Sequence, residues 1–222
     1  MEPAAPKPSP EPLLSALEAR ILGCLIEKEL TTPDVCPLTL NALVNACNQR
    51  SNRDPVIEVS AREVEAALET LRLKRIAACF AGADARVPKY RQTLDLVHPV
   101  EIGARVLLCE LLLRGPQTLA ELRIRTERMQ PLTAEEITAL LADLAALPSG
   151  ALVRRLPRQR GQKEERWAQL LTGEPEIAPE PAPLAVTLAL PSEAEHRLVA
   201  LEAEVVRLRS ELEALRRSLG GS

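Results

Sequence analysis

The chain has 222 residues, enough for one large or two small domains, and hydrophobic residues make up 46% of it, enough to fill a core. Phe80, Tyr90 and Trp167 are its only aromatic residues, which disfavours a β-sandwich or barrel and favours aliphatic helices packed together. The formal net charge of −3 argues against indiscriminate binding to nucleic acid, and the sequence has no apolar run long enough to cross a membrane.

The cysteine pattern bears on compartment and on metal binding. The five cysteines are odd in number and form no Cys-x-x-Cys pair: Cys24, Cys36, Cys47, Cys79 and Cys109. This pattern disfavours a disulfide framework and predicts a reducing, cytoplasmic environment. Residues 1–12 are rich in proline and lack the apolar core of a signal peptide, so we expect a disordered lead-in. The Cys and His spacings fit no zinc template, and we expect no metal and no cofactor.

An internal repeat organises the chain between residues 13 and 172. Three pairs of segments match in the same order: 19–24 with 104–109, 39–43 with 118–122, and 59–64 with 132–137. Ordered matches of this kind indicate a duplicated unit. The repeat predicts one domain at 13–95 and a second at 96–172.

Each copy is predicted to begin with three helices. The first covers residues 14–29 and 99–114, and the second 38–49 and 118–129. Ser/Thr-x-x-Glu spacing at Ser60–Glu63 and Thr133–Glu136 predicts a capping box at the start of each third helix. The predicted buried stripes of the third helices are Val64, Leu68 and Leu71, and Ile137, Leu141 and Leu144.

Two strand-like runs around a turn follow each third helix. They lie at 76–80 and 87–92 in the first copy, and at 152–156 and 165–170 in the second. Three helices followed by a hairpin define a winged helix, so we predict a mainly α fold with small β-hairpins (α+β) and two tandem winged-helix domains.

The C-terminal region divides into a linker and a leucine-rich helix. Residues 173–191 are rich in proline and predict a linker, whose apolar part at 184–190 either docks as a strand-like strip or is loose. Residues 192–219 predict a coiled coil, with apolar residues three and four apart: Leu198, Leu201, Val205, Leu208, Leu212, Leu215 and Leu219. In a parallel homodimer the flanking pairs Arg197–Glu202, Glu204–Arg209 and Glu211–Arg216 would all attract. The alternative is a helix that folds back onto its own chain.

Several longer motifs occur together in the duplicated region. They are residues 40–56, Val87-Pro88-Lys89-Tyr90, residues 114–118, residues 156–159 and residues 161–164. With these motifs the chain resembles the bacterial YceH family over about residues 13–172. The resemblance implies a tandem winged-helix fold and assigns no activity. Trp167 stands where the family pattern has Tyr, which keeps an aromatic ring in the second wing.

No constellation in the sequence predicts catalysis. His98 precedes a proline at a predicted helix start, and His196 lies in the coiled coil. Neither is close in any motif to a serine or cysteine nucleophile, and there is no Gly-rich phosphate loop. Cys24 and Cys109 occupy equivalent apolar positions and are expected to be buried small hydrophobes. We therefore predict a protein that is not an enzyme.

The third helices are poorly suited to reading DNA bases. The outward face is predicted to carry Arg62, Glu65, Glu69 and Arg72 in the first copy, and Glu135, Thr138, Ala142 and Ala145 in the second. Carboxylates there would face phosphates, and the second face has no Arg, Lys, Asn or Gln for base edges.

The second wing and the second helix of the same copy are rich in basic residues. We predict a nucleic-acid contact patch of Arg123, Arg125, Arg128, Arg154, Arg155, Arg158, Arg160, Lys163 and Arg166. Phosphate contacts need no base code. The alternative is a solvated hairpin whose arginines pair with nearby acids.

A polar loop supplies a second set of candidate contacts. Its members are Asn48, Gln49, Arg50, Asn52 and Arg53. They predict either a recognition loop or, more in keeping with Asn, Asp and Pro clusters, a turn that satisfies its own backbone.

Two functions follow from the sequence: a homodimeric, DNA-associated regulator, or a scaffold that binds another protein.

Overall fold

The structure is a computed structural model that describes residues 13–81, 87–158, 161–175 and 192–219, with side chains in the last range at 197 and 199–215. Several predictions fall outside these residues: the lead-in at 1–12, most of the linker (176–191), Arg160, and the side chains of His196, Leu198 and Leu219. The described residues lie in two compact units, one within Met1–Ala178 and one within Pro179–Ser222.

The first copy of the repeat folds as three helices and a small sheet. Its elements are α1 (Ala16–Thr31), β1 (Leu38–Thr39), α2 (Leu40–Cys47), α3 (Ala61–Leu73), β2 (Ala77–Phe80) and β3 (Lys89–Gln92). The sheet is antiparallel in the order β1-β3-β2, with Tyr90 between Leu38 and Cys79. A short helix, α4 (Leu94–Val97), which the sequence analysis did not predict, follows the hairpin.

The second copy repeats this order of elements. They are α5 (Ile102–Arg114), α6 (Leu119–Thr126), α7 (Ala134–Ala145), β4 (Val153–Leu156) and β5 (Arg166–Gln169). β4 and β5 pair antiparallel, and Gln117 forms an isolated bridge to Trp167, with N···O distances of 2.9 and 2.7 Å. That bridge corresponds to the pairing of β1 with β3 in the first copy. The predicted α+β fold with small hairpins is confirmed.

The predicted second helices are longer than the observed ones. The prediction began at residue 38, but Leu38 pairs with Tyr90 as a strand, and Thr39 becomes the N-cap by accepting from the Ala42 amide at 3.3 Å. The predicted capping boxes at Ser60–Glu63 and Thr133–Glu136 are confirmed. Two further boxes, Ser15–Glu18 and Thr118–Glu121, start α1 and α6 and were not predicted.

Helices α1 and α5 cross at close range. A Cβ atom built on Gly23 would lie 2.8 Å from Leu113 Cδ2 and 3.2 Å from Leu112 Cβ, so a larger residue there would require Leu113 to shift. The Cys109 thiol donates to the Gly23 carbonyl at 3.3 Å. Both copies thus share one compact unit, and the predicted division at 95/96 stays a prediction.

The remaining unit contains α8 (Ser192–Leu219), a helix of 28 residues. Helix formation over the predicted coiled-coil segment is confirmed. Within the described ranges, no helix combines the length and apolar character needed to cross a membrane.

Candidate nucleic-acid interface and the buried ion cluster

The second wing exposes the arginines of β4. The Arg154 and Arg155 side chains are 54% and 62% exposed. Arg154 Nη1 lies 2.5 Å from Glu174 Oε2, and Arg155 Nη1 lies 3.1 Å from Glu165 Oε2. Exposed ion pairs of this kind contribute about 0–1 kcal/mol each, so they compete only weakly with a phosphate.

Two further basic residues of the wing are exposed and carry no ion pair to any residue that the structure describes. They are Arg158 and Lys163, which flank the turn of the hairpin. Arg166 is held more firmly: Nη1 donates to the Pro116 carbonyl at 2.8 Å and lies 3.2 Å from Glu121 Oε2. Arg166 therefore fastens the wing to the start of α6.

The three arginines on and after α6 differ in their surroundings. Arg123 is exposed. Arg125 Nη1 donates to Gln117 Oε1 at 2.6 Å, and its Nη2 lies 3.5 Å from Glu121 Oε1. Arg128 Nη2 contacts the buried carboxylates of Glu27 and Glu110, the latter at 3.2 Å. Of the three, Arg123 alone is exposed and forms no ion pair with a residue that the structure describes.

Arg128 belongs to a buried ion cluster that the sequence analysis missed. Its members are Glu27 from α1, Arg53 from the polar loop, Glu110 and Arg114 from α5, and Arg128 after α6. Arg53 donates twice to Glu27, with Nη1–Oε1 at 3.1 Å and Nη2–Oε2 at 2.5 Å. Arg114 Nε lies 3.1 Å from Glu110 Oε2. The cluster therefore joins four segments of the chain by charge.

The pKa values of the two buried carboxylates of the cluster are shifted in opposite directions. Burial raises the pKa of Glu27, but hydrogen bonds and charge from Arg53 and Arg128 outweigh it, so the net pKa lies below the ordinary value. Burial also raises the pKa of Glu110, and there the charges of Arg114 and Arg128 do not compensate, so the net pKa is raised. A sequence signal existed, because each glutamate interrupts an apolar helical run.

The polar loop satisfies its own backbone. Asn48 Nδ2 donates to the Val59 carbonyl at 2.9 Å, and the Val59 amide donates to Asn48 Oδ1 at 2.8 Å. Asn52 has a φ of 60° and accepts through Oδ1 from Arg114. Arg53 is buried in the ion cluster and is removed from the surface. Among the predicted loop contacts, Arg50 remains exposed.

The outward faces of the third helices are close to those predicted. Val64, Leu68 and Leu71 are buried on α3, as are Ile137, Leu141 and Leu144 on α7. The predicted outward residues of α3 are exposed, and Arg72 Nη1 pairs with Glu69 at 2.7 Å. The prediction for Ala145 is wrong, because it is half-buried and packs against the core at the end of α7.

The leucine-rich face of α8 is exposed within its own unit. Leu201, Val205, Leu208, Leu212 and Leu215 are between 47% and 60% exposed. Arg207 lies 3.7 Å from Glu204 and 3.8 Å from Glu211 along the helix. Glu202 and Arg209 have no ion pair with any side chain that the structure describes.

The thiols and the described histidine show no catalytic arrangement. Cys24, Cys47 and Cys109 are buried and all five cysteines are free, which confirms Cys24 and Cys109 as core residues. His98 is buried, with Nδ1 3.4 Å from Ser149 Oγ, and burial lowers its pKa. The described ranges contain no group of three His, Cys, Asp or Glu side chains that could hold a metal ion.

Three helices followed by a hairpin with exposed basic side chains define an α+β protein with small antiparallel sheets, an arrangement consistent with a winged helix. The chain belongs to the family described as "Protein of unknown function, DUF480", which matches residues 14–162. A "UPF0502 protein" of Solibacter usitatus (strain Ellin6076) is 45% identical over 207 residues, covering 92% of this chain and 97% of that protein. Another, of Geotalea uraniireducens (strain Rf4), is 51% identical over 196 residues, covering 86% of this chain and 88% of that protein. Neither name is that of an enzyme.

Proposed function

We propose that this protein is a DNA-associated, regulator-like binding protein that contacts the phosphates of duplex DNA through its second wing. The observation that carries the proposal is the exposure of four basic side chains in this one hairpin: Arg154, Arg155, Arg158 and Lys163. Arg123, on α6, adds a fifth exposed charge. Phosphate contacts depend on charge and reach rather than on hydrogen-bond patterns at base edges.

The third helices favour phosphate contact over base readout. Exposed Glu65 and Glu69 on α3, and Glu135 on α7, would repel the backbone of a duplex lying against them. A wing that approaches the phosphates without inserting either helix avoids this repulsion. We therefore expect binding that is nearly independent of base sequence.

The proposal includes a homodimer formed through α8. Its exposed apolar face needs a partner, and the charges beside it alternate so that a parallel copy would place Glu204 against Arg209. Arg209 has no competing ion pair among the described residues of its helix. Two chains joined in this way would offer two second wings to one duplex.

The test is a fluorescence-anisotropy titration of the full chain against two unrelated duplexes at several salt concentrations. We expect similar affinity for both duplexes and a steep fall with salt, with a slope of log K against log salt of about −0.9 for each phosphate contacted. Absence of binding at low salt, or binding that salt leaves unchanged, would contradict the proposal.

A scaffold that binds another protein is the second candidate. It is favoured by the exposed carboxylates on α3 and α7 and by the wing arginines that already pair with acids, such as Arg155 with Glu165. A stoichiometric protein partner that co-purifies after nuclease treatment, from a chain that does not bind the duplexes, would select this candidate.

We also infer that the YceH family and the family matched here are the same, and that the two copies of the repeat are tandem winged-helix domains. The repeated order of elements supports the second inference. We infer further a binding protein without catalysis, and the five free cysteines favour the cytoplasm as its compartment.

A further inference from the structure

Arg20 is a buried cation without a carboxylate partner in the described part of the chain. It is 4% exposed, and it donates from Nη2 to the Pro55 carbonyl at 2.6 Å and from Nη1 to the Cys47 carbonyl at 3.4 Å. Its Nε has no hydrogen-bond partner. Carbonyl dipoles satisfy two donor nitrogens but supply no net negative charge. Arg53, by contrast, is buried against the carboxylate of Glu27.

The equivalent residue of the second copy shows that this arrangement is not general to the fold. Arg105 stands where Arg20 stands in the first copy, and its Nη1 lies 3.9 Å from Glu29 Oε1. An uncompensated buried charge is costly, because little in its surroundings replaces the water it has lost. Burial accordingly lowers the pKa of Arg20.

Arg20 lines an open pocket of about 460 Å³. The pocket has apolar walls from α1, from the loop before α3 and from α5, including Leu17, Ile57, Val59 and Leu111. A volume of this order is typical of small-molecule sites. Most of the lining is thus hydrocarbon, with one unpaired guanidinium in it.

The acidic residues that also line the pocket leave Arg20 unpaired. Glu63 Oε2 is occupied by Ser60, accepting from its amide at 2.8 Å and from its hydroxyl at 2.6 Å. Asp54 is exposed, and its charge raises the pKa of Arg20, but the two side chains form no ion pair. Gln169, which also lines the pocket, donates from Nε2 to Thr172 Oγ1 at 2.7 Å. Because the net pKa of Arg20 is still lowered, the charge of Asp54 does not offset the effect of burial, and no described residue of the lining forms an ion pair with the guanidinium.

We propose that this pocket binds a small organic monocarboxylate whose apolar body lies on Leu17, Ile57 and Leu111 and whose carboxylate pairs with Arg20. The guanidinium provides the charge-assisted hydrogen bonds, and the aliphatic walls select against strongly hydrated anions such as inorganic phosphate. The site is independent of the proposed DNA contacts, because none of the wing arginines lines it.

Isothermal titration calorimetry of the full chain with octanoate and with octan-1-ol tests this proposal. The two probes share an apolar chain and differ in charge. We expect one octanoate per chain, bound at least about tenfold more tightly than the alcohol, since hydrogen bonds to charged groups are the stronger ones. Equal affinity for the two probes, or no binding of octanoate, would overturn the proposal.

Two variants of the pocket and one control variant separate the site from a general effect on folding. Arg20→Gln should abolish the preference for octanoate, whereas Arg62→Gln, an exposed arginine on α3, should retain it. Ala16→Phe fills the pocket from its exposed rim, leaves the Arg20 contacts in place and should weaken both probes. Thermal melting checks that each variant is folded. If octanoate bound the Ala16→Phe variant as tightly as the wild type, its binding site would lie outside this pocket.

Discussion

Arg53 and Glu27 form a two-point ion pair in which both side chains are fully buried. The pair holds the polar loop against α1, and Arg128 approaches the same carboxylate from the end of α6. The polar loop, which the sequence offered as a candidate recognition surface, is therefore attached to the protein interior through Arg53. Bidentate arginine–carboxylate geometry makes this attachment directional as well as strong.

Removal of the Glu27 charge should destabilise the protein substantially. In Glu27→Gln, the buried guanidinium of Arg53 loses its counter-charge, and we expect a loss of about 3 kcal/mol in the free energy of unfolding, measured by urea denaturation. The matched control is Glu69→Gln, which breaks the exposed pair with Arg72 and should change stability by at most about 0.5 kcal/mol. Equal effects of the two substitutions would remove the special role of the cluster.

The contribution of Glu27 should depend on pH in one direction. Because its pKa in the folded protein is below the ordinary value of 4.5, its ionised form stabilises the fold above that pH, and this stability is lost as the pH falls through the folded-state pKa. The stability difference between the wild type and Glu27→Gln should be constant near neutral pH. Below pH 4.5 it should shrink, by at most about 1.4 kcal/mol per pH unit. A difference that grows on acidification would reverse the assigned sign.

Overpacking at the α1–α5 crossing should be costly. Gly23→Val places new atoms against Leu113 and Leu112, and we expect a loss of about 1–3 kcal/mol in thermal or urea unfolding. Ala66→Val on the exposed face of α3 introduces the same side chain without a buried neighbour and serves as the control. A Gly23→Val protein as stable as this control would show that the helices can separate freely.

Neutralising the second wing should flatten the salt dependence of DNA binding. A variant with Gln at positions 154, 155, 158 and 163 loses four exposed cations, and the slope of log K against log salt should fall by about 3–4. Gln at positions 62 and 72 removes two arginines from α3 and should leave the slope unchanged. Were the α3 variant the one to lose affinity, the contact surface would have to be moved to that helix.

Two neighbouring valines on α8 test the homodimer. Val205 lies on the leucine-rich face and Val206 lies beside it, with exposures of 47% and 67%. Val205→Glu should convert a dimer into a monomer in sedimentation equilibrium, because it places a carboxylate in the apolar seam. Val206→Glu adds the same charge outside the seam and should remain dimeric. A wild type that sediments as a monomer would exclude the pairing.

Local patterns predicted most of the elements correctly. The capping boxes at Ser60 and Thr133 and the apolar stripes of α3 and α7 were readable because they depend on residues three or four apart. The strand at Leu38–Thr39 was not, because its only reason to be extended is Tyr90, about fifty residues away along the chain. The predicted second helix therefore began two residues too early, at residue 38 instead of Leu40.

The ion cluster shows where prediction of the site failed. Arg53 was grouped with surface cations although it is buried, and the pairing of the partly exposed Arg128 with buried carboxylates was not predicted, since the sequence gives the charge of an arginine but not its neighbours. Their partners, Glu27 and Glu110, lie in other helices and become neighbours only when α1 and α5 cross. Arg154 and Arg155 are adjacent on β4 and therefore point to opposite faces of the hairpin, yet both are exposed, so alternation along the strand does not account for their exposure.

The crossing at Gly23 is a position where the two copies of the repeat differ in side-chain size. The counterpart of Gly23 in the second copy is Leu108, so the repeat departs from itself at the point of contact. Two identical copies, each with leucine there, would hold their first helices apart and leave both apolar surfaces partly wet. A symmetrised sequence, with the same residue in both copies, would therefore need a small side chain at this position.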